Sequence, residues 1–383
     1  MKRFRTRVEV STTTARLILR LCAFAPLRHE GVNFAVADRT RRQWIDELFP
    51  AGIPRLWCPP LTHFRAAGQI APDRMARHLL HLGRHARGWL VPGSTGEGWL
   101  MSDQEVRTVL DHALTIAAKL DVRVLVGVLR QQAAAAIDCI HEIAEWLCER
   151  AGTSDVVQAL VTQHVCGFTV CPPTGESLGD DDIATALRSV LQLQLPTALY
   201  QLPQITKNEM SPEVVAEFAA EFPHFYLFKD TSGLDRVALS AAALEDVFLV
   251  RGAEGKYSRW LKSAGGPYNG FLLSTANVFA DRLDNMIQRI ERFDDVEARR
   301  QIEPVERAVE AVFARVANYG RGNPFTNANK AIDHFMAYGA RAPDTPGPML
   351  YDGHTLAPDL LDDTRSILKQ YSLLPEIGYL ADT

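Results

Sequence analysis

From about residue 53 onward, short apolar runs alternate with longer stretches whose apolar residues recur at helical spacing. The short runs fall at 54–59, 88–91, 123–129, 167–171, 197–202, 225–229, 247–251 and 270–274, eight in all. They are continuously apolar rather than alternating, which predicts parallel strands covered on both faces. Ser102-Asp103-Gln104-Glu105 forms a capping box that opens a helix running to about residue 119. Ser211-Pro212-Glu213 supplies an N-cap followed by proline at the first helical position, and 133–150 and 180–192 also carry helical spacing. Eight strand–helix units predict an α/β fold, a (β/α)8 TIM barrel. A doubly wound open sheet is the rival, but no glycine-rich fingerprint follows the first strand.

The pattern outside the barrel units is less regular. The stretch 153–165 is longer than a helix–strand connection needs, and 156–161 reads as an extra strand. Beyond the barrel, a long helix is expected over 296–319, interrupted near Pro304, with further helices over 327–338 and 360–371. A Pro- and Gly-rich loop over 341–353 separates these last two. The expected organisation is an N-terminal extension over 1–48, partly disordered, a catalytic barrel over 49–292 and a C-terminal helical region over 293–383. Residues 1–28 are rich in Arg and Thr with a single acid, Glu9, as in a disordered arm, a cleaved targeting segment or an upstream start codon. Arg16 and Arg20 interrupt its one apolar stretch, which is too short and too charged to cross a bilayer.

Composition narrows the classes. The chain has 383 residues, 47% of them hydrophobic, enough for a sizeable core. A net charge of -5 and a pI near 6.1 argue against a nucleic-acid surface, and no run is long enough for a membrane span. The six cysteines are scattered, which predicts reduced, buried thiols and a cytoplasmic protein rather than a disulfide framework. The histidines show no HxH or HExxH pair, so neither a metal nor any other cofactor is expected.

One residue carries most of the chemistry. Lys229 lies in Phe225-Tyr226-Leu227-Phe228-Lys229-Asp230-Thr231-Ser232-Gly233, inside what reads as a buried strand. Burial disfavours the ammonium form, and a neutral amine attacks carbonyl carbons to form Schiff bases. The alternative is a lysine paired with Asp230 and reaching water. Catalysis on a (β/α)8 barrel belongs at the C-terminal strand ends, so the other ends test the idea. The second strand ends in Gly93-Ser94-Thr95-Gly96-Glu97, with hydroxyls and backbone amides suited to a small carboxylate. The fifth ends in Tyr200-Gln201-Leu202-Pro203, placing a phenol at the same face.

With these segments in order, the chain resembles the dihydrodipicolinate synthase and N-acetylneuraminate lyase superfamily over about residues 57–338. Gly93-Ser94-Thr95-Gly96-Glu97 matches its G-[ST]-T-G-E motif, and Tyr200-Gln201-Leu202-Pro203 resembles Y-N-x-P. Phe228-Lys229-Asp230-Thr231-Ser232-Gly233 resembles the motif that carries the Schiff-base lysine. The segment Gly270-Phe271-Leu272-Leu273-Ser274-Thr275-Ala276-Asn277 and Asn323-Pro324-Phe325 with Lys330 are similar to the family's later motifs. The resemblance implies that Lys229 attacks the ketone of a 2-oxo acid. It implies that Ser94, Thr95 and Gly96 hold the carboxylate and that Leu272 offers a backbone carbonyl. It further implies that Tyr200 moves protons, its hydroxyl linked to Ser94, and that the chain forms a homo-oligomer, a dimer or a tetramer.

Departures matter too. The fourth strand ends in Cys171-Pro172-Pro173-Thr174-Gly175, with no tyrosine of the kind that dihydrodipicolinate synthases send into a neighbouring subunit. Ile205 falls where those synthases carry an arginine for the second substrate, which argues against lysine biosynthesis. Arg130, after the third strand, is a candidate for a distal carboxylate or else a surface arginine. Glu254 falls where sugar-acid lyases place carboxylates for substrate hydroxyls, or else serves a helix N-terminus. Gln201 stands for the usual asparagine and is a further candidate at the substrate. The expectation is a lyase acting on pyruvate or a keto-deoxy sugar acid through an imine at Lys229, chiefly aldol cleavage or condensation. A dehydratase using the same imine and a non-catalytic oxo-acid-binding paralogue are the alternatives.

Overall fold

Eight parallel strands pair in chain order and close on themselves, β1 (Leu56–Cys58) meeting both β2 (Gly88–Val91) and β8 (Gly270–Leu272). Between them run β3 (Arg123–Val128), β4 (Val165–Val170), β5 (Thr197–Gln201), β6 (Phe225–Asp230) and β7 (Phe248–Arg251). This computed structural model describes Val32, Phe34 and residues 38–65, 68–244 and 246–381. The expectations for residues 1–28 therefore lie outside the described residues. The ring is the expected (β/α)8 barrel, and helices lie between successive strands and beyond the last.

The helices that matter below are α1 (Arg41–Leu48), α2 (Pro72–Leu82), α3 (Asp103–Leu120), α4 (Ala133–Ala151), α5 (Val156–Thr162), α6 (Asp180–Leu191), α7 (Pro203–Thr206) and α8 (Pro212–Glu221). They continue with α9 (Arg236–Leu239), α10 (Ala276–Glu291), α11 (Asp295–Val316), α12 (Pro324–Tyr338) and α13 (Pro358–Gln370). The capping box at Ser102 and the Ser211 N-cap form as the sequence implies, each side chain accepting from a first-turn amide.

Side-chain alternation divides the strands between two cores. Trp57, Leu90, Leu125, Ala198, Leu227 and Val250 fill the inside of the barrel. Val124, Val126, Phe168, Leu199, Phe228 and Phe271 face the helices. The lower end of the barrel is plugged by α1, whose Trp44 and Leu48 join the inner cluster with Phe49. The Phe49 ring lies 5.5 Å from Tyr226 and 6.1 Å from Trp57. Buried Arg41 fastens this plug by donating to the carbonyls of Phe225 at 2.8 Å, Ala219, and Phe222 at 3.2 Å. Part of the stretch read as an N-terminal extension is thus folded against the barrel floor.

Two local expectations are corrected. Residues 156–161 form helix α5, not a strand. Their β-branched valines suggest extension, but the Asp155 carboxylate accepts from Gln158 N at 3.0 Å and so caps a helix. Val156, Val157, Ala159 and Leu160 then share one buried face. Pro304 does not interrupt α11 either. Proline weakens a helix interior, but Ile302 and Val305 on either side are buried in the same core and hold the turn together. No helix among the described residues is long and apolar enough to cross a membrane.

Replacing Arg41 with alanine leaves three carbonyls at the barrel floor without this donor. The expected loss is about 2 kcal/mol, read as a lower urea midpoint with an unchanged slope. An unchanged midpoint would show that Arg41 contributes nothing to holding the floor.

Candidate functional site

The upper end of the barrel gathers the motif residues. In the β5–β6 register Tyr200 lies directly opposite Lys229, and both side chains point inward. The Lys229 Nζ sits 3.8 Å from the centre of the Tyr200 ring, and the lysine is 4% exposed. Among the described residues it makes no salt bridge, and neighbouring Asp230 lies on the opposite face of the strand, accepting from Ser232 N at 2.8 Å. The expected alternative of a lysine paired with Asp230 is thus not what the fold builds. Burial pulls the Lys229 amine down to about 7, even though Cys171, Glu254 and Cys58 favour the charged form. Burial also pushes the Tyr200 phenol well above its ordinary value, so it remains a proton donor at neutral pH.

Packing fixes the lysine stem. A Cβ added at Gly252 would fall 2.9 Å from Lys229 Cε and 2.5 Å from Thr231 Oγ1. Only a residue without a side chain leaves room there for the lysine as placed.

The loop after β2 is shaped as a cradle. The amides of Gly96 and Gly98 turn back to the Gly93 carbonyl, and that of Glu97 to the Ser94 carbonyl. The amides of Ser94 and Thr95 donate to no acceptor among the described residues. Glu97 takes φ 64°, which reverses the chain and sends its carboxylate inward. There it pairs with buried Lys330 of α12 and accepts from Tyr351 N at 2.9 Å. Asn323 caps α12 through its carbonyl oxygen and donates its amide to Ser94 O and Ser94 Oγ, both at 3.1 Å. Thr326 donates to Thr95 O at 2.9 Å. The C-terminal helices therefore hold the cradle from outside.

Several expected site residues are engaged elsewhere. No hydrogen bond among the described residues joins Tyr200 to Ser94; the Ser94 oxygen is occupied by Asn323 instead. Gln201 is fully buried on the outward side of β5, where its carbonyl accepts from Met210 N at 2.7 Å. It is not brought to the site, because residues one apart on a strand face opposite ways. Arg130 is tied to Asp103 at the start of α3. Glu254 accepts from Ser274 Oγ at 2.5 Å, Thr275 N at 3.1 Å, Thr275 Oγ1 at 2.8 Å and Tyr257 OH at 2.7 Å. Three of these four donors stand at the start of α10, and the fourth is the Tyr257 hydroxyl. Leu272 ends β8 with its side chain in the inner cluster beside that of Tyr200.

Other groups near the lysine were not singled out from the sequence. Cys171, at the end of β4, shares the inner cluster, and burial raises its thiol to about 12. Thr231 is buried, and its hydroxyl lies against the Tyr200 phenol, where its hydrogen bonding opposes part of the rise that burial causes. A threonine two residues past the lysine was the available signal. The five described cysteines are all buried and free.

A cavity of about 550 Å³ opens beside the cradle, bounded by Ser94, Leu202, α7 and the segment 322–325. Its neighbour of about 610 Å³ lies between Glu254 and α11. No cluster of three metal-binding side chains occurs among the described residues.

Known proteins are similar in sequence and in fold. The Dihydrodipicolinate synthetase family matches residues 180–339. A 4-hydroxy-tetrahydrodipicolinate synthase of Parasynechococcus marenigrum is 28% identical over 215 residues, which cover 54% of this chain and 64% of that protein. The chain thus spans less than two thirds of that relative's length. The synthase of Rhizobium meliloti is 28% identical over 233 residues, 60% of this chain and 71% of that one. A prophage protein of E. coli K12, described as belonging to the dihydrodipicolinic acid synthase family and solved with pyruvate, superposes with a TM-score of 0.64. That match has 18% identity and covers 83% of this chain and 99% of that one. The synthase of Cyanidioschyzon merolae, solved with lysine, gives 0.65 at 19% identity, covering 84% and 98%. At such identities the structural likeness bears on the fold alone.

Replacing Lys330 with methionine strands the Glu97 carboxylate in a buried place. Breaking one side of such a pair costs about 3–5 kcal/mol, so a large drop in the thermal midpoint is expected. The Glu97→Gln, Lys330→Met double variant should lose less than the sum of its parts. Additive losses would contradict a direct coupling.

Proposed function

We propose that this chain, a divergent member of the dihydrodipicolinate synthase and N-acetylneuraminate lyase superfamily, is a class I lyase that forms an imine between Lys229 and a 2-oxo acid. The observation that carries the reading is a buried amine without a salt bridge among the described residues, drawn down to about 7 and facing a protonated phenol at the top of the barrel. At neutral pH a large share of that amine is free to attack C2 of the oxo acid. The two open amides at Ser94 and Thr95 suit the carboxylate.

The chemistry then follows from the imine. Loss of water from the carbinolamine gives an iminium that draws electrons from the neighbouring C3. A C3 proton or a C3–C4 bond is released, leaving an enamine. In the condensing direction the enamine C3 attacks an aldehyde carbon, and Tyr200 supplies the proton that the new alkoxide takes up. Water then frees the product from Lys229. No electrons enter or leave, so no redox cofactor is called for. Homo-oligomeric assembly is part of the same reading. Aldol chemistry is favoured over dehydration of a sugar acid, because Glu254 has no acceptor left for substrate hydroxyls.

Borohydride reduction in the presence of pyruvate tests this. The expected result is a reduced pyruvate adduct on Lys229, found by intact mass and peptide mapping and absent from Lys229→Ala. Failure to trap pyruvate or any longer 2-oxo acid would refute the imine and favour a binding protein without turnover.

A further inference from the structure

We infer that the aldehyde partner is neutral and apolar, an aryl or alkyl aldehyde rather than a sugar or a semialdehyde acid. The inference rests on the imine reading and names the substrate class of that same site. It comes from the 550 Å³ cavity, which adjoins the cradle through Ser94 and the end of β5 through Leu202. On that reading, a substrate whose carboxylate is held at the cradle reaches this space past Ser94 and Leu202, the two wall residues that belong to the strand ends of the site.

The walls are apolar: Trp99, Leu100, Leu202, Ile205, Phe325 and Leu350. Among the described residues no Lys, Arg or His side chain lines it, so a second carboxylate on the substrate would meet no counter-charge from them. Its two acidic members make matters worse for an anion. Glu97 is paired with Lys330, and Asp352 accepts from Arg321 at 2.8 Å and from His354 N at 3.1 Å. The polar amides are committed as well. Gln204 donates to Thr231 O at 2.8 Å, and the Asn323 amide nitrogen serves Ser94. A polyhydroxylated chain would have to give up its water here for few replacement bonds, whereas a phenyl or alkyl group gains by burial. Ile205 is the residue on α7 that most directly turns an acid away, since it leaves the wall uncharged.

The test uses the full chain with pyruvate and four aldehydes: benzaldehyde, hexanal, glyceraldehyde and succinic semialdehyde. Borohydride trapping of pyruvate on Lys229 is run first on the same preparation. With trapping intact, kcat/KM for benzaldehyde or hexanal should exceed that for the two polar aldehydes at least tenfold. In Ile205→Arg the ratio of hexanal to succinic semialdehyde should fall at least tenfold, a readout internal to one preparation and so insensitive to partial folding. With trapping intact, preference for glyceraldehyde or succinic semialdehyde, or turnover of none of the four, overturns the inference while the imine reading stands. Absence of trapping overturns both.

Discussion

A closed eight-stranded barrel has to fill its interior with side chains, and here one of the positions at the upper end is taken by an amine. Everything distinctive about the site depends on that constraint. Lys229 points inward because its neighbours Phe228 and Asp230 point outward. The inner cluster leaves it without a carboxylate partner, and burial then draws its proton affinity down. The Tyr200 ring lies against the amine, and the absent Cβ of Gly252 leaves space for its stem. A few ångströms of packing thus bring an ordinary lysine toward its neutral form near pH 7.

The second half of the site is held from a distance. The cradle after β2 would be a plain turn were it not fixed by Asn323, Thr326 and Lys330, all belonging to or capping α12. The buried pair between Glu97 and Lys330 costs desolvation on both sides, and its value lies in setting where the cradle sits. The same helix start forms one wall of the neighbouring cavity. On the proposed reading, substrate anchoring and partner selection therefore share one support.

Much of this was legible in the sequence. The eight apolar runs locate the strands to within a few residues, because parallel strands buried on both faces leave an unbroken apolar signal. The serine caps fix two helix starts for the same local reason. Lys229 and Tyr200 are brought together as their strand ends imply. What stays hidden depends on partners far along the chain. Gln201 looks like its neighbour Tyr200 in the sequence, but strand alternation turns it toward Met210. Glu254 and Arg130 stand at plausible strand ends, yet Thr275 and Asp103 claim them. The valines at 156 and 157 suggest a strand until Asp155 is seen capping the helix. Nothing local says that Asn323 reaches Ser94, 229 residues away.

The central claim is that the fold itself makes Lys229 a free amine near neutral pH. Its titration can be followed directly by NMR of the lysine side chain in protein labelled at lysine, with Lys229→Ala to assign the signal. The account predicts a midpoint near 7, so that the neutral fraction rises as the pH climbs through that value. A midpoint at the ordinary lysine value of about 10.4 would contradict it, because the amine would then be almost wholly protonated at neutral pH.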